Sequence, residues 1–145
     1  MSEKQKTLDK IRRFNRYYTK LIGLLDNHLL DSKYSLVEAR VLYEIHAGVK
    51  ISAAQIVLEL NIDKGQLSKV LTRLENNELI IKQPSEVDGR VTLVSLTTKG
   101  KKIYNELDSA SNLQIEAMIS TIKKDEQQQL TKHMLAIQKI LTTNL

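Results

Sequence analysis

The chain has no cysteine, no tryptophan, a single proline and five glycines. Without cysteine there is no disulfide, no thiolate metal site and no thiol redox switch. So little proline and glycine argues against an all-β fold with many tight turns and for long uninterrupted helices. Aromatics are also scarce, at five Tyr and one Phe. No apolar run approaches the roughly 18 residues that a membrane-crossing helix needs. The start Met1-Ser2-Glu3-Lys4 lacks the apolar stretch of a signal peptide. A cytoplasmic protein with no membrane partner is the expectation. The 145 residues match one domain with enough core to fold alone.

Catalytic patterns are missing too. His28, His46 and His133 fall in three different predicted helices without metal-ligand spacing. No nucleophile elbow, P-loop or dinucleotide fingerprint occurs. The expectation is a non-enzyme with no metal and no cofactor.

What is there is charge, unevenly placed. The net charge is +5, and residues 1–20 alone carry +5. Residues 61–90, by contrast, balance five Lys and Arg against five Asp and Glu. Net charge therefore does not mark a nucleic-acid face, and the side of a helix on which charges sit must do so.

Periodicity supplies the organisation. Leu8, Ile11, Asn15, Tyr18, Ile22, Leu25 and Leu29 alternate steps of three and four, one continuous helical stripe interrupted by a polar Asn. Ser35 with Glu38 forms a capping box that opens a helix through Val37, Val41, Leu42 and Ile45, ending near Gly48. Ser52 with Gln55 and Asp63 with Gln66 are two more capping boxes, separated by the short turn Leu60-Asn61-Ile62. Two helices joined so closely make a helix-turn-helix, whose second helix can enter a DNA major groove. Leu79-Ile80-Ile81 and Val91–Leu96 read as strands around a polar loop with Pro84, Asp88 and Gly89, the wing. Thr97 caps a long helix with the stripe Ile103, Leu107, Ser111, Ile115, Met118 and Ile122. After a break at Lys123-Lys124, a last helix carries Leu130, Met134, Ile137 and Leu141 on one side.

The fold class is thus mainly α with a small β-wing: a winged helix-turn-helix flanked by N- and C-terminal dimerisation helices. Residues 1–145 form one domain, with the winged part at 34–98 and dimerisation helices at 1–33 and 99–145. A heptad-like stripe wants a partner helix. The stripes pack on each other within one chain or pair two chains. The homodimer is preferred because helix-turn-helix proteins gain specificity from two half-sites. Leu8, Ile11, Ile115, Ile122, Leu130, Met134, Ile137 and Leu141 are its candidate contacts.

On the helix from Asp63 to about Asn76, Leu67, Val70, Leu71 and Leu74 form the core stripe. The opposite side shows Lys64, Gln66, Ser68, Lys69, Thr72 and Arg73, the donor-rich types that meet base edges and phosphates. Gln66 suits adenine, and Lys69 and Arg73 suit guanine or phosphate. Gly65 lets a phosphate approach the helix N-terminus. A solvated helix face would look similar taken alone. The turn, the caps and the wing favour double-stranded DNA. Arg90 at the hairpin tip suits the narrow minor groove, with Asp88 holding its guanidinium or capping the loop. A plain turn explains Asp88-Gly89 equally well.

The run Leu74-Glu75-Asn76-Asn77-Glu78-Leu79-Ile80, then Asp88-Gly89-Arg90, then Leu96-Thr97-Thr98-Lys99-Gly100, resembles the MarR family of transcription regulators. That family has a reading helix ending Leu-x-x-x-Gly-Leu-Ile, a wing with Asp-x-Arg, and Leu-Thr-x-x-Gly opening the next helix. The resemblance spans almost the whole chain. It implies a homodimeric regulator, a repressor in the first instance, on a pseudo-palindromic operator with half-sites about 10 bp apart. Carried over position by position, the reading residues are Lys64, Gln66, Ser68, Lys69 and Arg73, and the wing pair is Asp88 and Arg90. The family's Gly after the reading helix is Glu78 here. A left-handed Glu costs roughly 1 kcal/mol relative to Gly, so Asn77 is expected to take over the cap. Residues 12–19 also look like the start of chains in which such a regulator is fused to an acetyltransferase domain, for which a chain ending at Leu145 leaves no room.

Many family members release DNA when a small aromatic or anionic effector binds where the dimer helices meet the winged part. Phe14, Tyr17, Tyr18, Tyr43 and His46 are the candidates for such a pocket, with Arg16 and Lys20 nearby. Ordinary aromatic packing is the plainer alternative and is preferred. A winged-helix interaction module or anti-repressor that does not bind DNA is the alternative function, kept open by the balanced 61–90 segment.

Overall fold

A computed structural model of the chain describes residues 1–29 and 32–145, with backbone alone for residues 24–29. The expectations for Leu25, Leu29 and His28 lie outside the described side chains. The elements run α1 (Glu3–Leu29), α2 (Leu36–Gly48), β1 (Ile51–Ser52), α3 (Ala53–Leu60), α4 (Lys64–Asn76), β2 (Ile80–Pro84), β3 (Thr92–Leu96), α5 (Thr98–Ile119) and α6 (Lys124–Asn144). The mainly helical chain with a small wing is as expected from sequence.

Two compact units are distinguished, Met1–Ala110 and Ser111–Leu145. The core lies in the first. Val41, Leu42 and Ile45 of α2 meet Ile56 of α3, Leu67, Leu71 and Leu74 of α4, Leu79 just before β2, and Ile80 and Val94 of the sheet. The four- and three-residue steps of the α4 leucines put them on one side of the helix. Each such side chain contributes roughly 1.5–3 kcal/mol by leaving water. Leu107 of α5 also joins this core, so the first half of α5 belongs to the winged unit.

Side chains set where the helices begin. The Ser52 hydroxyl accepts from the Gln55 N–H at 3.2 Å, and the Gln55 side chain accepts from the Ser52 N–H at 3.0 Å, a complete capping box. Ser35 and Asp63 each accept from the N–H three residues on, but these two caps are one-sided. Glu38 reaches the Ser35 hydroxyl rather than its N–H, and among the described residues no bond runs from the Gln66 side chain to the Asp63 N–H. The sheet is antiparallel in the order β1-β3-β2, with Ile51 opposite Val94 and Ile80 opposite Leu96. β1 was not legible in sequence, because two residues running straight into a helix show no alternation.

The end of α4 corrects one expectation. Asn77 has φ −85°, and Glu78 is the left-handed residue at φ 63°. The Leu79 N–H donates to the Leu74 carbonyl and the Glu78 N–H to the Glu75 carbonyl, both at 2.9 Å. Those two bonds with a left-handed residue between are a Schellman cap, and its accompanying apolar contact is Leu74 with Leu79, both fully buried. The cap geometry needs C′ at position 78, so Asn77 cannot substitute for it.

Thr97 then ties this cap to the next helix. Its hydroxyl donates to the Glu78 carbonyl at 2.6 Å and accepts from the Gly100 N–H at 2.9 Å. Its N–H donates to the Leu79 carbonyl at 3.0 Å. Gly100 lies so close to Leu79 that a Cβ there would overlap the Leu79 carbonyl oxygen. The Leu-Thr-x-x-Gly sequence is therefore a lock between the end of α4 and the start of α5.

In the second unit, α5 stops at Ile119, so Ile122, expected on the α5 stripe, lies in the following turn. The Gln127 side-chain amide donates to the carbonyls of Ile119 and Ile122 at 3.0 and 2.9 Å, satisfying groups that the helix end would leave orphaned. None of the residues of α6 is buried in the single chain.

Candidate nucleic-acid interface

The side of α4 opposite its leucines is built as its sequence periodicity requires. Lys64, Gly65, Gln66, Ser68, Lys69, Thr72 and Arg73 are all exposed, whereas Leu67, Leu71 and Leu74 are buried and Val70 is half-buried. Asp63 accepts from the Gln66 N–H at 3.0 Å, which spends its carboxylate on the backbone and leaves the Gln66 side-chain amide outward. Among the described residues, the only close atom next to Gly65 is that same Asp63 carboxylate, so the first turn presents bare backbone. The Thr72 hydroxyl donates to the Ser68 carbonyl at 2.9 Å and so faces outward as an acceptor.

Arg73 differs from the solvated residue expected. Its Nη1 donates to Glu38 Oε1 at 2.6 Å, and its Nη2 donates to the Lys33 carbonyl at 3.2 Å. The Glu38 side chain is 6% exposed and that of Arg73 is 54% exposed. Half of the guanidinium thus neutralises a buried carboxylate, and half remains at the surface. Glu38 Oε1 also accepts from the Ser35 hydroxyl at 3.2 Å. Glu38 Oε2 has no hydrogen-bond partner among the described residues, which makes Arg73 the main counter-charge of a group that is costly to bury alone. Arg73 therefore serves the fold as well as the outward side of α4.

The wing holds its arginine firmly. Arg90 Nε and Nη2 donate to the two carboxylate oxygens of Asp88 at 3.1 and 3.2 Å, and the Arg90 N–H donates to Asp88 Oδ1 at 3.1 Å. The Arg90 side chain is nonetheless 91% exposed, so the fork orients it without covering it. The Arg90 side chain, then its backbone N–H, holds the Asp88 carboxyl below the usual carboxylate range. The Ser85 hydroxyl accepts from the N–H groups of Val87 and Asp88, and the Ser85 N–H donates to the Val91 carbonyl, which closes the loop. Lys82 of β2 pairs with Glu75 of α4 at 3.6 Å, fixing the wing's first strand against the helix.

The aromatic candidates fall into two groups. Phe14 and Tyr18 stack along α1 with centroids 5.6 Å apart, and Tyr17 is exposed. Tyr43 and His46 of α2 instead contact Tyr104 of α5, with His46 stacked on it at 4.1 Å. No ring contact joins the two groups among the described residues. Burial, then the nearby Asp108 and Tyr43, pushes the Tyr104 phenol up. Tyr104 was missed in sequence, since only the packing of α5 on α2 reveals it.

Known proteins resemble this chain in sequence and in fold. A family model described as MarR family matches residues 33–91. The HTH-type transcriptional regulator MgrA of Staphylococcus aureus is 32% identical over 123 residues, spanning 83% of this chain and 77% of MgrA. A MarR mutant from E. coli, crystallised with operator DNA, superposes with a TM-score of 0.76 at 21% identity, over 94% of this chain and 99% of that one. The transcriptional regulator BldR from Sulfolobus solfataricus gives 0.79 at 17% identity, over 99% of both chains.

Proposed function

The chain belongs to the MarR family of winged helix-turn-helix transcription regulators, and from that premise we propose that it is a homodimeric repressor of a pseudo-palindromic operator. The observation that carries this is the outward side of α4, where Lys64, Gln66, Ser68 and Lys69 are exposed and, among the described residues, tied to no other side chain. Those groups stand ready for base edges in a major groove, with Arg90 placed for the flanking minor groove. Gly65, Thr72 and Arg73 complete the proposed contact set, and Asp88 acts by orienting Arg90. The E. coli MarR structure with operator DNA supports this reading through its similar fold.

The dimer rests on uncovered apolar surface. Leu8 and Ile11 of α1, Ile115 of α5, and Ile137 and Leu141 of α6 are all more than a third exposed in the single chain. Ile122, Leu130 and Met134 are half-buried and extend the same set. Apolar groups left this open call for a partner helix. The HTH part at 34–98 and the flanking helices at 1–33 and 99–145 form the working division of labour. Release by a small aromatic or anionic molecule near Phe14, Tyr17, Tyr18, Tyr43 and His46 is part of the same proposal.

Selection of duplexes from a random-sequence pool tests it. A consistent inverted-repeat sequence should emerge, and Lys69→Ala and Arg90→Ala should weaken binding to it by about 5- to 100-fold each. No enrichment of any sequence, with affinity indifferent to salt, would instead identify an interaction module that does not use DNA.

A further inference from the structure

Beside the reading helix lies an open cleft of about 670 Å³, walled on one side by the last two turns of α4 and on the other by the segment leading into α2. Among the described residues three cations line it: Lys69 and Arg73 from α4, and Lys33, forty positions before Arg73 in the chain. Ser68, Thr72 and Asn76, each four residues apart on α4, add hydroxyl and amide groups along its floor. Among the described residues no Asp or Glu lines it. Glu38 is buried beneath Arg73 with one oxygen already engaged, so the described lining of the cleft carries a net positive charge.

We propose that this cleft is a phosphate clamp for the DNA backbone at the edge of the groove that α4 enters, and that Lys33 is a DNA-contacting residue. The proposal rests on the DNA-binding reading above and extends its footprint beyond the helix-turn-helix and wing. Two features choose a backbone over a small ligand. The cleft shares Ser68, Lys69, Thr72 and Arg73 with the proposed reading face, so a duplex on that face brings a strand across it. The α4 donors Ser68, Lys69, Arg73 and Asn76 are also spread along the helix over about two turns rather than gathered at one point, and a strip suits a chain of phosphates. The Lys33 carbonyl holds Arg73 in place, so the lysine side chain projects from a fixed point. Arg73 is shared between Glu38 and the cleft, which makes Lys33 and Lys69 the two cations of the cleft without an ion pair among the described residues.

The test is the salt dependence of duplex binding by the full chain, with Lys33→Gln and Lys33→Glu beside the wild type. Lys33 is exposed and its hydrogen bond to Arg73 is made by its backbone, so both variants keep the fold. Loss of one phosphate contact should flatten log K against log salt by about 0.9. The Lys33→Gln deficit should then be about three- to four-fold larger at 50 mM than at 200 mM salt. It should be the same on a selected duplex and on a scrambled one, since a backbone contact carries no base preference. Lys33→Glu should show a larger deficit of the same kind. An unchanged slope for Lys33→Gln, while Lys69→Ala and Arg90→Ala still weaken binding, would reject the clamp and leave the regulator reading intact. Failure of the wild type to bind any duplex would reject both. Pyrophosphate titrated at constant ionic strength is the remaining arm. Saturable binding that Lys33→Gln abolishes, with duplex affinity untouched, would reassign the cleft to a free anion and overturn the proposal.

Discussion

Arg73 and Glu78 show how a single residue can contradict its neighbourhood. Arg73 has the position of a DNA-reading side chain, yet half of it is spent on the buried Glu38 carboxylate. Removing one partner of a buried pair costs about 3–5 kcal/mol, and the half-exposed guanidinium lowers that figure. Arg73→Ala should therefore lower unfolding free energy by about 2 kcal/mol, measured by urea denaturation, whereas Lys69→Ala on the same face should change it by less than about 0.5 kcal/mol. Equal stability of the two variants would show that Glu38 does not need its partner. Glu78 holds φ 63° without the hydrogen freedom of glycine. Left-handed backbone costs an ordinary residue about 1–2 kcal/mol, and glycine's extra freedom in the unfolded chain returns part of that. The exposed Glu78–Lys99 pair at 3.9 Å is too long and too solvated to compensate. Glu78→Gly should then stabilise the fold by about 0.5–1 kcal/mol, and a drop in stability would contradict the strain argument. Val49, at φ 62° and ψ −59°, is strained in another way. The Lys50 N–H donates to the Gly48 carbonyl at 2.7 Å around it, a γ-turn with a β-branched residue at its centre. Nothing in its sequence surroundings announces that turn.

At the scale of elements, the junctions decide the geometry more than the helices do. The Thr97–Gly100 lock joins the end of α4 to α5 through two hydrogen bonds from Thr97 and one backbone contact. Gly100→Ala should overpack this junction and destabilise by about 3 kcal/mol, with Thr97→Ala milder at about 1–2 kcal/mol. Thermal unfolding of the two variants checks the order. The wing is an element stabilised by one charge. Because the Asp88 carboxyl sits below its ordinary range, the fork to Arg90 is present above about pH 4, the unfolded value, and is lost only as pH falls through the lower folded value. The Arg90 Nε chemical shift should hold steady down to about pH 5 and move in stronger acid as Asp88 takes up a proton. In Asp88→Asn it should already sit at the moved value at neutral pH. Caps, turn and strands were legible here because each depends on residues within about four positions. β1 and the early end of α5 were not, since one is too short for a period and the other stops inside a continuing apolar pattern.

For the whole molecule, the apolar residues left open on α1 and α6 are the feature that a single chain does not satisfy. Ile137 is 43% and Leu141 is 51% exposed. If a second copy covers them, stability depends on protein concentration. Sedimentation equilibrium should find a dimer, and Ile137→Asp should yield monomers that no longer hold an inverted repeat. A monomeric wild type with full operator affinity would reject the paired reading.

The sequence by itself determined the order and type of nearly all the elements, the leucine side of α4 and the outward set opposite it. Those follow from short-range periods and caps, in which the interacting residues are a few positions apart. Tertiary structure alone decided which outward residues are free. Arg73 reaches Glu38 across 35 positions and the Lys33 carbonyl across 40, and no local pattern encodes such meetings. The same holds for Glu78, whose backbone is set by the buried Leu74–Leu79 contact rather than by its own preference. A burial that returns several kilocalories overrides a local preference of about one.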